Sequence, residues 1–143
     1  MKCRNCKSQE FKKVINIGEQ PLSGIFLKRK LLNFKKYSLD LFICRNCKLV
    51  QIGKNASETK MFGQNYGYQS SISKLMTNHL EKIYKNLITK KFINNTSSVL
   101  DIGSNDGTFL NFFKKTNILY GIDPTSNKFK NFYKPHIKRI NNF

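Results

Sequence analysis

The sequence predicts an α/β protein in two parts, a small four-cysteine domain and then the opening of a parallel sheet. Three observations carry this reading. The pentapeptide Cys-Arg-Asn-Cys-Lys occurs twice, at residues 3–7 and 44–48, and its cysteines are all the cysteines of the 143-residue chain. A run of apolar residues at helical spacing extends from about Ile72 to Lys91. Beyond it, "SVLDIGSNDGTFL" and "ILYGIDP" read as strand, glycine turn, helix and strand. The expected boundaries are 1–60 for the cysteine domain, 61–95 for a loop and connector helix, and 96–143 for the start of the sheet domain.

In the first part the apolar runs are short, and Gly18, Pro21, Gly24 and Gly53 punctuate them. Leu39, Leu41 and Ile43 alternate with Ser38, Asp40 and Phe42, which predicts a strand entering the second cysteine pair. So small a domain buries little core and needs a staple. Two C-x2-C pairs separated by 37 residues have zinc-ligand spacing. Cys3, Cys6, Cys44 and Cys47 would close a tetrahedron around Zn²⁺ and leave no open position, so a structural ion is expected. Arg4, Lys7, Arg45 and Lys48 stand where they could offset the negative charge of a four-thiolate site. Asn5 and Asn46 suit the tight backbone of each turn. Redox thiols and isolated free cysteines are the alternatives. The gap is longer than in a DNA-reading finger.

In the connector, Ile72, Leu75, Met76, Leu80, Ile83, Tyr84, Leu87 and Ile88 form one helical face. Ser70, Ser71 or Ser73 can cap its start, and Lys90 and Lys91 suit its C-terminal dipole. Met76 and His79 read as packed structural residues on that face. After "NNTSS" come a strand at Val99–Ile102, a helix at about Gly107–Lys115 and a strand at Ile118–Ile122. "SNKFKNFYK" could form another helix and "IKRI" a third strand. Phe109 and Phe113 should pack onto the sheet. Two or three parallel strands leave faces and an edge bare, so a continuation of the same chain is expected beyond Phe143.

The glycine turn suggests a nucleotide-type ligand. Gly103 would let the ligand approach the backbone, and Gly107 would let helix and strand pack. Dinucleotides need a bare helix N-terminus for their pyrophosphate, and Asp106 stands there instead. S-adenosylmethionine has no phosphate and tolerates that carboxylate. Asp123, about twenty residues on, is placed to accept both ribose hydroxyls. The expected cofactor-binding residues are therefore Asp101, Gly103, Ser104, Asn105, Asp106, Gly107 and Asp123. The competing reading is that Asp106 only caps a helix and Asp123-Pro124 only turns the chain.

The formal charge is +18, which favours acidic partners through the summed field. Lys, Asn, Ile and Phe are abundant throughout and Ala56 is the only alanine. With no block of like charge, this reads as compositional drift, so a nucleic-acid partner is not expected. The start lacks an apolar signal segment, and no apolar run is long enough to cross a bilayer. A reducing cytoplasm is the expected setting.

Taken in order, "CRNC", "GEQPLSGIFL", "YSLDLFICRNCKLVQIG", "MFGQNYGYQSSISKLMTNH" and "VLDIGSNDGTFL" through "GIDP" resemble sugar C-methyltransferases with an N-terminal zinc-binding domain, which act on nucleotide-linked keto-sugars. The most specific run holds Tyr66, Tyr68, Ser70, Ser71, Ser73, Met76 and His79. The resemblance implies a zinc domain followed by a class I (Rossmann-like) methyltransferase fold, here truncated, with S-adenosylmethionine and structural Zn²⁺ as cofactors and a nucleotide-sugar as substrate. It implies that a base removes a proton beside a sugar ketone and that the enolate attacks the donor methyl. The family's histidine and glutamate acid/base residues would lie past Phe143. Tyr68 is the residue expected nearest the chemistry, with Tyr66, Ser70 and Ser71 near substrate. Gly24 replaces the asparagine of the family's "PLSN", which removes any hydrogen bond from that amide. A zinc-ribbon RNA methyltransferase and a non-enzymatic zinc-binding module are the other readings.

Overall fold

The computed structural model describes residues 1–22, 24, 34–53 and 56–143. Ser23 and residues 25–27 of the "PLSGIFL" segment lie outside them. The chain divides into two compact units, Met1–Met61 and Phe62–Phe143.

The first unit is an antiparallel sheet in the order β1 (Phe11–Gln20), β2 (Tyr37–Cys44), β3 (Val50–Ile52). Phe11 pairs with Cys44 and Ile43 with Val50, so the second cysteine pair sits in the β2–β3 turn. The first cysteine pair precedes β1. The predicted strand around Leu39–Ile43 is β2. Its residues are half-buried on both faces up to the buried Cys44, as expected where a sheet has little to pack against. A five-residue helix, α1 (Glu58–Phe62), closes the unit, its last residue, Phe62, being the first of the second unit.

The second unit begins with a single 3-10 turn at Ser70–Ile72, followed by α2 (Lys74–Thr89). Of the three candidate serines, Ser73 caps α2, its Oγ accepting from the Met76 N–H at 3.2 Å. Tyr84 stacks on Phe112 and meets Phe113 edge-on. The N-terminal part of the predicted apolar face is not covered. Ile72 and Leu75 are exposed, and so is His79, which was expected to be packed; Met76 is only half-buried.

Three parallel strands follow in the order β4 (Ser98–Ile102), β5 (Ile118–Ile122), β6 (Ile137–Ile140). The strands agree with the sequence; the helices between them do not. The expected helix at Gly107–Lys115 is a turn ending in one 3-10 turn, Leu110–Phe112. The "SNKFKNFYK" helix is likewise one 3-10 turn, Lys130–Phe132. Packing overrides the helical spacing here. Leu110 and Phe113 are buried with Leu119, Phe129, Tyr133 and Ile137, and Phe109 packs against them. The aromatic, Thr and Asn residues of this stretch are also weak helix formers.

Along β4 and β5 the side chains alternate. Val99 and Leu119 face this core, and Asp101, Gly121 and Asp123 continue the same face. Leu100 and Ile102 stand exposed on the other face of β4.

Two glycines of the turn make contrasting predictions. A Cβ on Gly107 would lie 2.6 Å from the Tyr133 ring, whereas one on Gly103 meets nothing within 4 Å. Both have positive φ, 75° and 80°. Gly103→Ala should therefore cost about 1 kcal/mol, the left-handed backbone penalty alone. Gly107→Ala should cost about 3 kcal/mol, because overpacking adds to it. Denaturant melts of the two variants check the difference.

Candidate functional site

The two cysteine pairs form twin knuckles with the same internal bonding. The N–H of Lys7 donates to the Cys3 carbonyl and that of Lys48 to the Cys44 carbonyl, each at 3.0 Å. Both lysines are left-handed, at φ 64° and 65°. Their ammonium groups turn back to bind the Arg4 carbonyl at 3.0 Å and the Arg45 carbonyl at 2.6 Å. These lysines, assigned from sequence only to balancing charge, thus also close the turns. Gln51, which nothing in the sequence singled out, is buried. It accepts from the Arg4 N–H at 3.0 Å and donates to the Lys2 carbonyl, tying the first knuckle to β3.

The four Sγ atoms lie within 4.8 Å of one another. Cys3 and Cys47 are 3.5 Å apart and Cys6 and Cys44 3.6 Å, each pair joining one knuckle to the other. A tetrahedron with Zn–S of about 2.3 Å has S–S edges of about 3.8 Å, so the sulfurs stand near zinc spacing. Their protonation points the same way. The backbone N–H of Leu49 pulls Cys47 down to about 6, and that of Cys47 lowers Cys44. At Cys6 the backbone N–H of Ser8 lowers the thiol, but burial and the neighbouring sulfurs outweigh it and take it to about 11. Four converging thiols cannot all ionise unless a cation shares the charge. With all four bound, the ion has no position left for substrate.

In the second unit the ends of β4 and β5 open onto a cleft of about 370 Å³. One wall carries Phe62, Tyr66 and Tyr68, whose rings touch in series. Of the seven predicted cofactor residues, Gly103, Asn105 and Asp123 line the cleft. Asp101, Ser104, Asp106 and Gly107 do not. Of the predicted substrate residues, Tyr66, Tyr68 and Ser70 line it and Ser71 does not.

Asp106 has a different place from the one assigned in sequence. It is fully buried, away from the cleft wall, and there is no helix N-terminus for it to guard. Its Oδ2 accepts from the Ser71 N–H at 2.9 Å, and its Oδ1 from the N–H and hydroxyl of Thr108. Burial alone would raise its pKa; the bonds from Thr108 and Ser71 outweigh burial and hold it below the usual carboxylate value. Asn105 works alongside it. Its Oδ1 accepts from the Ser70 N–H at 2.9 Å and its Nδ2 donates to the Tyr68 carbonyl at 3.1 Å. Lys128 binds the Tyr66 carbonyl at 2.8 Å. The tyrosine–serine segment is thus fastened to the glycine turn through its own backbone.

Asp123 is also largely occupied. Its Oδ2 accepts from the Asn105 N–H at 2.9 Å, and its Oδ1 from the N–H and hydroxyl of Thr125. That leaves one lone pair, on Oδ2, for a ligand, where two ribose contacts were expected. Burial, and then the charge of Asp123, raise the Asp101 carboxyl.

Residues 3–62 match the family described as "Putative zinc binding domain". The chain is also 26% identical over 128 residues to C-methyltransferase NovU of Streptomyces niveus, an alignment covering 87% of this chain and 30% of that protein. The first unit thus matches a zinc-binding domain model, and the chain is similar to part of a C-methyltransferase. It spans about 30% of the length of the curated relative it matches. Among the described residues, no helix is long and apolar enough to cross a membrane.

Two outcomes are expected. Strong chelation, or Cys47→Ser, should remove stoichiometric zinc and unfold the first unit, because roughly 10–16 kcal/mol of apparent binding energy is withdrawn. Metal analysis with circular dichroism checks this, and a folded first unit that never held metal would overturn it. Asp106→Ala should cost about 2–3 kcal/mol, since it leaves the buried Thr108 donors and the part-buried Ser71 N–H unpaired. Chemical denaturation measures that loss.

Proposed function

We propose that this chain is the zinc-anchored, methyl-donor-binding part of an S-adenosylmethionine-dependent C-methyltransferase acting on a nucleotide-linked keto-sugar. In this reading the second unit is the opening of a class I methyltransferase fold. The observation that carries the proposal is the charge around the cleft. Asp123 faces it, and Asp101 stands one step back on the adjacent strand with a carboxyl raised by burial and then by its neighbour's charge. Among the described residues no lysine or arginine lines the cleft, and the Lys128 ammonium is committed to the Tyr66 carbonyl. A diphosphate would meet negative charge with no helix terminus to offset it, whereas a ligand with sulfonium and ammonium groups would be attracted. A cleft of this volume suits one small cofactor.

Gly103 lets the donor approach the backbone, the single free lone pair of Asp123 takes a ribose hydroxyl, and the apolar walls at Ile122 and Pro124 hold the base. Tyr68, partly exposed in the cleft, hydrogen-bonds the sugar or steadies the donor, and Tyr66 and Ser70 border the same space. In the reaction a base takes the proton from the carbon beside the ketone. The resulting enolate carbon forms a bond to the donor methyl as the S–CH₃ bond breaks, and the sulfur leaves as a neutral thioether. The zinc holds the first unit folded and takes no part in transfer. The resemblance of the tyrosine–serine run to sugar-modifying enzymes supports the substrate class. The RNA-methyltransferase reading lacks support in a cleft where no lysine or arginine is among the described lining residues.

Calorimetry on the zinc-loaded protein tests this. S-adenosylmethionine should bind, NAD should not, and Asp123→Ala should lose donor binding by at least tenfold; NAD binding in place of the methyl donor overturns the proposal. Asp101 adds a pH dependence. Its folded pKa is raised, so its protonated form is favoured in the folded state, and stability present at low pH is lost as pH rises through that value. Donor affinity should move oppositely, strengthening as Asp101 ionises. Asp101→Asn should therefore raise the melting temperature at neutral pH while weakening donor binding and flattening its pH profile.

A further inference from the structure

We infer that Tyr133 is a positioning residue whose buried hydroxyl sets the glycine turn in its ligand-facing shape. This rests on the proposed donor site and names a residue that the glycine motif does not contain. Tyr133 lies 26 residues beyond Gly107 in sequence, just ahead of β6. Its hydroxyl donates to the Asn105 carbonyl at 2.8 Å, and the Ser104 hydroxyl lies 2.9 Å away. With the phenolic proton committed to Asn105, Ser104 is the donor of the second bond. Burial takes the phenol up to about 12, so it stays neutral and keeps that proton throughout the working pH range.

The strain in the turn shows why such a bond is needed. Asn105 is left-handed at φ 50°, a conformation that costs energy outside glycine and persists only where the surroundings fix it. Every polar group of Asn105 is held. Tyr133 takes its carbonyl, Asp123 its N–H, Ser70 its Oδ1 and Tyr68 its Nδ2. Tyr133 is the one of these four that touches neither the cleft nor the tyrosine–serine segment. Through Asn105 it also holds the Oδ2 of Asp123, the atom with the remaining lone pair.

Two glycines keep room for it. A Cβ on Gly107 would lie 2.6 Å from the Tyr133 ring. A Cβ on Gly121 would lie 2.8 Å from the Ser104 Oγ and 3.1 Å from the ring. Gly121 has ordinary strand geometry, so its lack of a side chain answers to this space and not to backbone conformation.

The test separates the hydroxyl from the ring. Tyr133→Phe keeps the ring against Gly107 and Gly121 and removes only the two hydrogen bonds. In the zinc-loaded protein its global melting midpoint should fall by only a few degrees, and the amide exchange of β5 and β6 should stay near wild type relative to that global shift. The Asn105 amide should exchange at least tenfold faster, and S-adenosylmethionine affinity should fall five- to twentyfold. Tyr133→Leu should lower global stability as well. If Tyr133→Phe speeds Asn105 exchange while the wild type itself binds no methyl donor, the positioning role stands and the donor reading fails. If the wild type binds donor, and Tyr133→Phe binds it equally with unchanged Asn105 exchange, the positioning role is overturned.

Discussion

The second unit depends on one constraint: Asn105 and Asp106 spend their side chains on the backbone of a segment 35 to 37 residues earlier. Residues 66–71 read Tyr-Gly-Tyr-Gln-Ser-Ser and enter only a single 3-10 turn, so their N–H and C=O groups have few partners among themselves. Buried or half-buried backbone groups must be paired. The carboxylate of Asp106 and the amide of Asn105 provide those partners, and in doing so they set the two tyrosines beside the ends of β4 and β5. The cleft exists because the turn and the tyrosine segment cannot each satisfy their own polar groups.

The first unit solves the same problem with a different device. Its strands bury little, and β1 leaves Val14, Ile15 and Ile17 half exposed. What fixes it is the pair of knuckles, where left-handed lysines let four sulfurs converge and their own ammonium groups occupy the knuckle carbonyls. A lysine in that conformation costs more than glycine would. Its side-chain bond to the carbonyl three residues back is a compensation glycine cannot supply. The repeat of Cys-Arg-Asn-Cys-Lys is thus a repeat of one local structure, with the lysine as much a part of it as the cysteines.

Sequence reasoning reached some of this and missed other parts for identifiable physical reasons. The strands β2, β4, β5 and β6 were legible because alternation and apolar runs are local signals. The cysteine cluster was legible because ligand spacing is nearly sufficient for it. The Ser73 cap was one of three candidates, since a cap depends on where the chain turns, which neighbouring serines do not decide. The helix after the glycine turn was misread because Phe109, Phe112 and Phe113 have helical spacing, yet one 3-10 turn is enough to pack them when Tyr84 meets Phe112 and Phe113 from α2. Gln51 and Tyr133 were invisible. Each acts on a segment more than 25 residues away, and nothing in their neighbours announces it.

The missing helix bears directly on the ligand. A glycine-rich turn binds phosphate because a helix behind it aligns free N–H groups and a dipole toward the anion. Here the N–H groups after the turn are already engaged: those of Asn105 and Thr108 by carboxylates, and that of Gly107 by the Ser104 carbonyl. No α-helix follows to add its field. What remains facing outward is the negative charge of Asp123, backed by Asp101, beside aromatic rings. Sequence alone favoured a sulfonium ligand because Asp106 seemed to block a phosphate site. In the proposed reading that preference rests on a different ground, since Asp106 is turned inward and the phosphate site it was thought to block has no helix to make it.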